Sequence, residues 1–130
     1  MKLNELILGL SQSEKRYFAR LSDFQKLGKT KYMKLFLSYK KGRQEKAVRK
    51  ELGDDYSAQL KQQLKNKVLE SLRFYYKKSI PFNSENQMLK NAFVLKGKGY
   101  WSEAKKALES AKNKSTNHGI SMSCFSEIAF

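Results

Sequence analysis

Residues 88–111 read MLKNAFVLKGKGYWSEAKKALESA, and this segment has the clearest structural pattern in the chain. Small and large apolar residues recur at helical spacing on both sides of the dipeptide Gly99-Tyr100. The pattern indicates a helix, a tight turn and a second helix whose small residues face the first. Such a hairpin cannot bury its apolar face alone, so it predicts stacked helical neighbours.

The rest of the chain also follows helical periodicity. Pro81 is the only proline among 130 residues, and no clear strand-like alternation occurs. The fold class predicted is therefore all-α. Before Pro81 we predict four helices: one opened by a capping box at Ser11 and Glu14, one capped by Thr30, a short one from Gln44 to Leu52, and a long one from about Asp55 to Lys78.

The segment around Pro81 predicts a boundary, because the residue before a proline resists helix. We expect a basic helical head over 1–83 and a repeat-like part over 84–130. The latter holds a helix ending near Lys98, a helix capped by Ser102, and the start of a further amphipathic helix. Because that last helix would expose its apolar face, we expect a longer parent protein and self-association through residues 120–130.

Residues 85–118 place a small residue at Ala92, a turn at Gly99-Tyr100, and packing residues at Ala104, Leu108 and Ala111. At these positions the segment resembles a tetratricopeptide repeat. Met88, Asn91 and Thr116 depart from its pattern. The resemblance implies an antiparallel helical hairpin of the right-handed α-solenoid type. The whole chain also resembles the N-terminal part of long, uncharacterised, lysine-rich bacterial proteins, which implies no activity.

Positive charge is concentrated before the predicted boundary. The net charge is +15; residues 1–84 contribute +12, from 20 Lys and Arg against 8 Asp and Glu. Residues 85–130 contribute +3, from 7 against 4. A basic half suggests nucleic acid, an anionic membrane surface or an acidic protein as partner. The interpretation that we favour is a solvated, lysine-rich helical surface.

The alternative function that follows from this charge is a nucleic-acid-binding regulator. Its head would be helix-turn-helix or winged-helix-like, with the fourth helix in the groove. Asp54 and Asp55 argue against it, since they would meet phosphates at the N-terminus of that helix. Any affinity is then expected to be nonspecific and salt-sensitive. The candidate contacts are Arg43, Lys46, Arg49, Lys50, Lys61 and Lys65.

Catalytic chemistry is not indicated. His118 and Cys124 are the only histidine and cysteine, which is too few for a zinc ligand set. Gly28-Lys29-Thr30 ends like a phosphate-binding loop, but Asp23 stands where that motif needs a glycine. We therefore expect no enzyme activity, no cofactor and no metal. With no export signal and no membrane span, we expect a cytoplasmic protein without a membrane role.

The function favoured by the sequence is a non-catalytic helical scaffold that binds a protein or peptide. In a repeat protein, the first helix of each pair presents its polar residues to the partner. On the first helix of the predicted hairpin, the candidate partner contacts are Gln87, Lys90 and Asn91. The sequence does not identify the partner.

Overall fold

The computed structural model describes residues 2–24, 30–80 and 87–118. Over these ranges the chain forms helices and no strands, which confirms the all-α prediction. A short 3-10 turn, Gly53–Asp55, separates the fourth and fifth helices. The helices are α1 Leu3–Leu8, α2 Gln12–Phe24, α3 Lys31–Lys40, α4 Glu45–Leu52, α5 Ala58–Tyr75, α6 Gln87–Gly97 and α7 Trp101–His118.

The chain divides into two compact units, an N-terminal unit of residues 1–71 and a hairpin unit of residues 72–130. The division falls inside α5, because its last residues, 72–75, belong to the hairpin unit. The boundary predicted at 83/84 lies within residues 81–86, outside the described ranges, and stays a prediction. The terminal helix predicted over 120–130 is likewise outside them.

Helix α1 was not predicted, yet it forms part of the core of the N-terminal unit. Leu6 and Ile7 are fully buried, and α1 packs against α3. In the same unit, the ring centroids of Phe18 on α2 and Phe36 on α3 lie 4.5 Å apart. Six residues are too few to show a clear helical period, so only the packing against α3 identifies this segment.

Two predicted N-termini have different outcomes. The capping box is confirmed: the Glu14 N–H donates to Ser11 Oγ at 3.1 Å, and the Ser11 N–H donates to Glu14 Oε1 at 2.7 Å. The start at Asp55 is wrong, because α5 begins at Ala58. There Ser57 Oγ accepts the Leu60 N–H at 3.0 Å. The N-terminus of α5 is therefore capped by the Ser57 hydroxyl, which pairs with an otherwise unpaired helix N–H, and not by the carboxylates of Asp54 and Asp55.

The hairpin unit contains the predicted helix pair, α6 and α7, packed against each other. Gly99 has φ +87°, the Tyr100 N–H donates to the Leu95 carbonyl at 2.9 Å, and the Gly99 N–H donates to the Lys96 carbonyl at 3.0 Å. This is a Schellman motif, which requires the left-handed conformation that glycine adopts at little cost. Helix α7 begins at Trp101, so Ser102 lies inside it and is not its cap.

Small residues allow the two helices to approach closely. Ala92, Ala104 and Ala111 are fully buried, and Ala92 of α6 and Ala111 of α7 belong to one hydrophobic cluster. The larger side chains of Leu89 and Leu108 complete this core. The expected small-residue packing is therefore present. The stacking of this hairpin into a solenoid stays a prediction.

Candidate functional site

The N-terminal unit contains an open cleft with a volume of about 480 Å³. Its lining comes from the start of α1, the C-terminal end of α3, the N-terminal end of α4 and the first turns of α5. Three lysines, Lys2, Lys61 and Lys65, line it together with one carboxylate, Glu45. The uncharged lining residues are Leu3, Asn4, Tyr39, Ala58 and Gln62.

Glu45, the first residue of α4, is the centre of a polar network at this cleft. Tyr39, which is 1% exposed, donates its hydroxyl to Glu45 Oε1 at 2.8 Å. The Tyr56 hydroxyl donates to the same oxygen. Lys61 Nζ lies 3.1 Å from it and forms an ion pair. One carboxylate thus connects α3, α4, the segment before α5, and α5 itself.

The network holds its members in defined protonation states. Burial raises the pKa of Tyr39, and the hydrogen bond to Glu45 raises it further, so Tyr39 remains a hydroxyl donor. Burial also acts to raise the pKa of Glu45, but hydrogen bonds from Tyr56, Tyr39 and Lys61 outweigh it and hold that pKa below its usual value. Burial acts to lower the pKa of Lys61, but its hydrogen bonds with Tyr56 and Glu45 outweigh burial and raise that pKa. At neutral pH the network therefore contains a charged Glu45 carboxylate and a charged Lys61 ammonium group.

The candidate nucleic-acid contacts around α4 are only partly available. Arg43 forms an ion pair with Glu51, whose Oε2 also accepts the Ser38 hydroxyl at 2.7 Å. The Arg49 guanidinium carbon lies 5.3 Å from the centroid of the Tyr56 ring. Both arginines thus contact side chains of their own unit. Lys46 and Lys50 are exposed, and they are the stronger candidates of the four.

The two candidates on α5, Lys61 and Lys65, both line the cleft. Neighbouring Gln62 is exposed and donates its amide to Asn66 Oδ1 at 3.1 Å. The acidic residues that argued against a reading helix lie in the 3-10 turn before α5, where Asp55 pairs with Lys31 at 3.3 Å. Asp54 and Asp55 are therefore not the first residues of α5, contrary to the prediction.

The sequence analysis missed the other members of this site. Lys2 and Asn4 were overlooked because α1 was not predicted. Tyr39 is buried on α3, and periodicity gives no information about the partner of its hydroxyl. Glu45 had no signal beyond an acidic residue in the first turn of a helix, which the helix dipole also explains.

The candidate partner contacts on α6 lie in different environments. Gln87 is exposed and Lys90 is half-buried. Asn91 is only 4% exposed, and its Oδ1 accepts a hydrogen bond from Arg73 Nη1 at 2.7 Å. The expectation that Asn91 faces a partner is corrected here: its amide is an internal acceptor of the hairpin unit.

Large exposed aromatic residues in the hairpin unit were not singled out from the sequence. Trp101, at the start of α7, is 52% exposed, and Phe74 is 49% exposed. Lys96 Nζ lies 5.9 Å from the centroid of the Trp101 ring. Apolar periodicity assigns such residues to the core by default, so their exposure becomes visible only in the structure.

Two features are absent from the part of the chain that the structure describes. No group of three or more His, Cys, Asp or Glu side chains is placed there to hold a metal ion. None of the described helices combines the length and apolarity needed to cross a bilayer. His118 is the last residue of α7, and its side chain is not among those described. Cys124 lies outside the described ranges.

Comparison with protein-family models, with curated proteins and with solved structures gives no match. The functional argument therefore depends on the residues of this chain.

Proposed function

We propose that this chain is a non-catalytic, cytoplasmic binding protein whose hairpin unit contacts a protein or peptide. The observation that carries the proposal is Trp101, a tryptophan with half of its surface exposed at the start of a well-packed helix. Exposed large aromatic residues on a rigid support are typical of the positions that dominate protein–protein binding energy. In this proposal the hairpin is one unit of a tetratricopeptide-like solenoid.

The packing of the hairpin supports this role. Buried alanines bring α6 and α7 together, so the exposed side chains of both helices are held on a rigid frame. Lys96 beside Trp101 adds a positive charge at the same place. Gln87 and Lys90 would contribute polar contacts on α6. Asn91 would act indirectly, through its hydrogen bond with Arg73.

Site-specific photo-crosslinking tests the proposal in the cells that make the protein. A photoreactive phenylalanine at Trp101 or Gln87 is expected to give discrete protein adducts. Matched controls carry it at Glu109 or Ser110, which are exposed positions on α7. Equal adducts at all four positions, or none at Trp101 and Gln87, would contradict the proposal.

A nucleic-acid-binding regulator is the second candidate, favoured by exposed Lys46 and Lys50 on α4 and by the lysines of the cleft. It predicts that duplex DNA or RNA binds with a steep salt dependence. Lys46→Glu with Lys50→Glu should then abolish binding, whereas Lys105→Glu with Lys112→Glu, an equal charge change at exposed positions of α7, should not. Arg43 is a poorer test, because its substitution also breaks the ion pair with Glu51.

Equal losses in both double variants would indicate a general charge effect and no defined interface. Tight, sequence-selective binding at physiological salt would favour the regulator over the scaffold.

A further inference from the structure

The hairpin unit contains a small pocket between the turn that follows α5 and the C-terminal half of α6. Its volume is about 250 Å³, and a cavity of roughly 150 Å³ already accommodates a benzene ring. Most small-molecule sites are larger, roughly 300–1,000 Å³, so this pocket suits one large apolar side chain. Its lining residues are Tyr76, Ser79, Phe93, Val94, Gly97 and Lys98.

Both sides of this pocket are held in place before any partner binds. The Ser79 N–H donates to the Tyr76 carbonyl at 2.9 Å, and the Lys98 N–H donates to the Val94 carbonyl at 3.1 Å. Val94 is 4% exposed, and Phe93 packs against the cluster of buried leucines and alanines that joins α6 and α7. A preformed apolar wall reduces the ordering that binding would otherwise require.

The charge around the pocket has one sign. The two segments that supply its lining, 72–80 and 87–100, contain six Lys and Arg and no Asp or Glu. The whole hairpin unit has ten Lys and Arg against four Asp and Glu, so six positive charges remain even if every carboxylate is paired within the unit. Lys77 and Lys78, which stand between two lining residues in the chain, are exposed. An acidic partner complements this surface.

We propose that the pocket binds one apolar side chain of an acidic peptide segment, whose carboxylates face Lys77 and Lys78. This inference rests on the proposed function, because it specifies the kind of protein segment that the hairpin unit binds. A nucleic acid or an anionic membrane would match the charge as well. A concave apolar pocket of this size instead favours a single side chain inserted from a peptide.

The test titrates the whole chain with a synthetic peptide in which one phenylalanine is flanked on both sides by glutamates. Calorimetry and amide chemical shifts should show saturable binding, with shifts at Phe93, Gly97 and Lys98. Alanine in place of the peptide's phenylalanine should weaken binding about tenfold or more, because the burial of its ring is lost. Glutamine in place of the glutamates should weaken binding and remove most of its salt dependence.

Gly97 offers a variant that fills the pocket while the helix is kept. A Cβ added at Gly97 has open space around it, and leucine favours helix more than glycine does. Gly97→Leu should weaken peptide binding about tenfold or more. Ser110→Leu adds the same side chain at an exposed position of α7 outside the pocket, and it should change binding less than about twofold. Amide spectra of the ligand-free variants that change only near the substitution exclude unfolding.

A second pair of variants tests the charge. Lys77→Glu with Lys78→Glu should weaken peptide binding about tenfold or more, because both exposed positions adjoin the pocket in the chain. Lys105→Glu with Lys112→Glu makes an equal charge change at exposed positions of α7, and it should weaken binding less than about threefold.

Three results would overturn the proposal: no saturable binding of the peptide, equal weakening by Gly97→Leu and Ser110→Leu, or equal weakening by the two charge-reversal pairs. Vesicles of phosphatidylserine and phosphatidylcholine that bind the chain, when the peptide does not, would overturn it in favour of a membrane surface. Shifts at Phe93 and Gly97 that grow with protein concentration alone, when the peptide does not bind, would overturn it in favour of a second copy of the chain.

The failure of this inference can be distinguished from the failure of the proposed function. Crosslinking at Trp101 and Gln87 does not use the pocket, so discrete adducts there without peptide binding would reject the pocket alone. Peptide binding at the pocket without such adducts would reject the partner surface at Trp101 and retain the pocket.

Discussion

The N-terminal unit and the hairpin unit use polar side chains in different ways. In the first, Glu45 connects several segments through hydrogen bonds and an ion pair at the edge of an aromatic core. In the second, fully buried alanines bring two helices together, and one buried amide, Asn91, accepts from Arg73. Core volume, close helix approach and polar pairing are therefore separate features of the two units, and each can be tested by substitution.

Phe36→Ala should have the largest effect. Phe36 is 1% exposed against the Phe18 ring, and removing a buried phenylalanine costs about 3–5 kcal/mol of unfolding free energy. Hydrogen exchange should show lost protection in α1 and α3, and chemical denaturation should show the lower stability. The control is the adjacent Leu37→Ala, 46% exposed, which should cost less than about 1 kcal/mol. Similar losses for both variants would argue against this core.

Ala104→Leu should have the next largest effect, confined to the hairpin unit. Ala104 is fully buried, so the added carbons must push α6 and α7 apart, at a cost of about 1–3 kcal/mol. Amide exchange in α6 and α7 measures it. The same side chain at Ser110, which is exposed, should change stability by less than about 0.5 kcal/mol. An Ala104→Leu variant as stable as the wild type would refute the close-approach model.

Asn91→Ala should cost about 1 kcal/mol, because the half-buried Arg73 loses an acceptor at 2.7 Å. The exposed Gln87→Ala is the control on the same helix and should be neutral within about 0.5 kcal/mol. Thermal unfolding compares the two. The opposite order would return Asn91 to the surface role that the sequence predicts.

The smallest expected effect is a pH dependence from Glu45. Its folded-state pKa is lowered, so its stabilising contribution is present above the unfolded-state pKa of about 4.3 and is lost as pH falls through the lower folded-state value. The stability difference between wild type and Glu45→Gln should therefore shrink on acidification. Melting temperatures across this range measure it, with the exposed Glu109→Gln as control. A difference that stays constant with pH would exclude a role for the Glu45 charge.

Much of the fold could be predicted because its signals are local. The Ser11–Glu14 capping box and the Gly99 turn act within a few residues, and both are confirmed. The candidate site was predicted only in part: Lys61 and Lys65 were named, but their neighbours Lys2, Asn4 and Glu45 were not. Lys61 and Glu45 are 16 positions apart, and no short-range pattern relates them.

The all-α fold, the approximate extents of α2 to α7 and the glycine turns follow from local signals, because caps, propensity and apolar periodicity act over a few residues. The helix at residues 3–8, the burial of Asn91 and the exposure of Trp101 depend on contacts between segments that are distant in sequence. The pairing of two tyrosine hydroxyls and a lysine with Glu45 depends on such contacts as well. Periodicity predicts which way a side chain points, whereas the partner of its polar end depends on segments that meet only when the chain has folded.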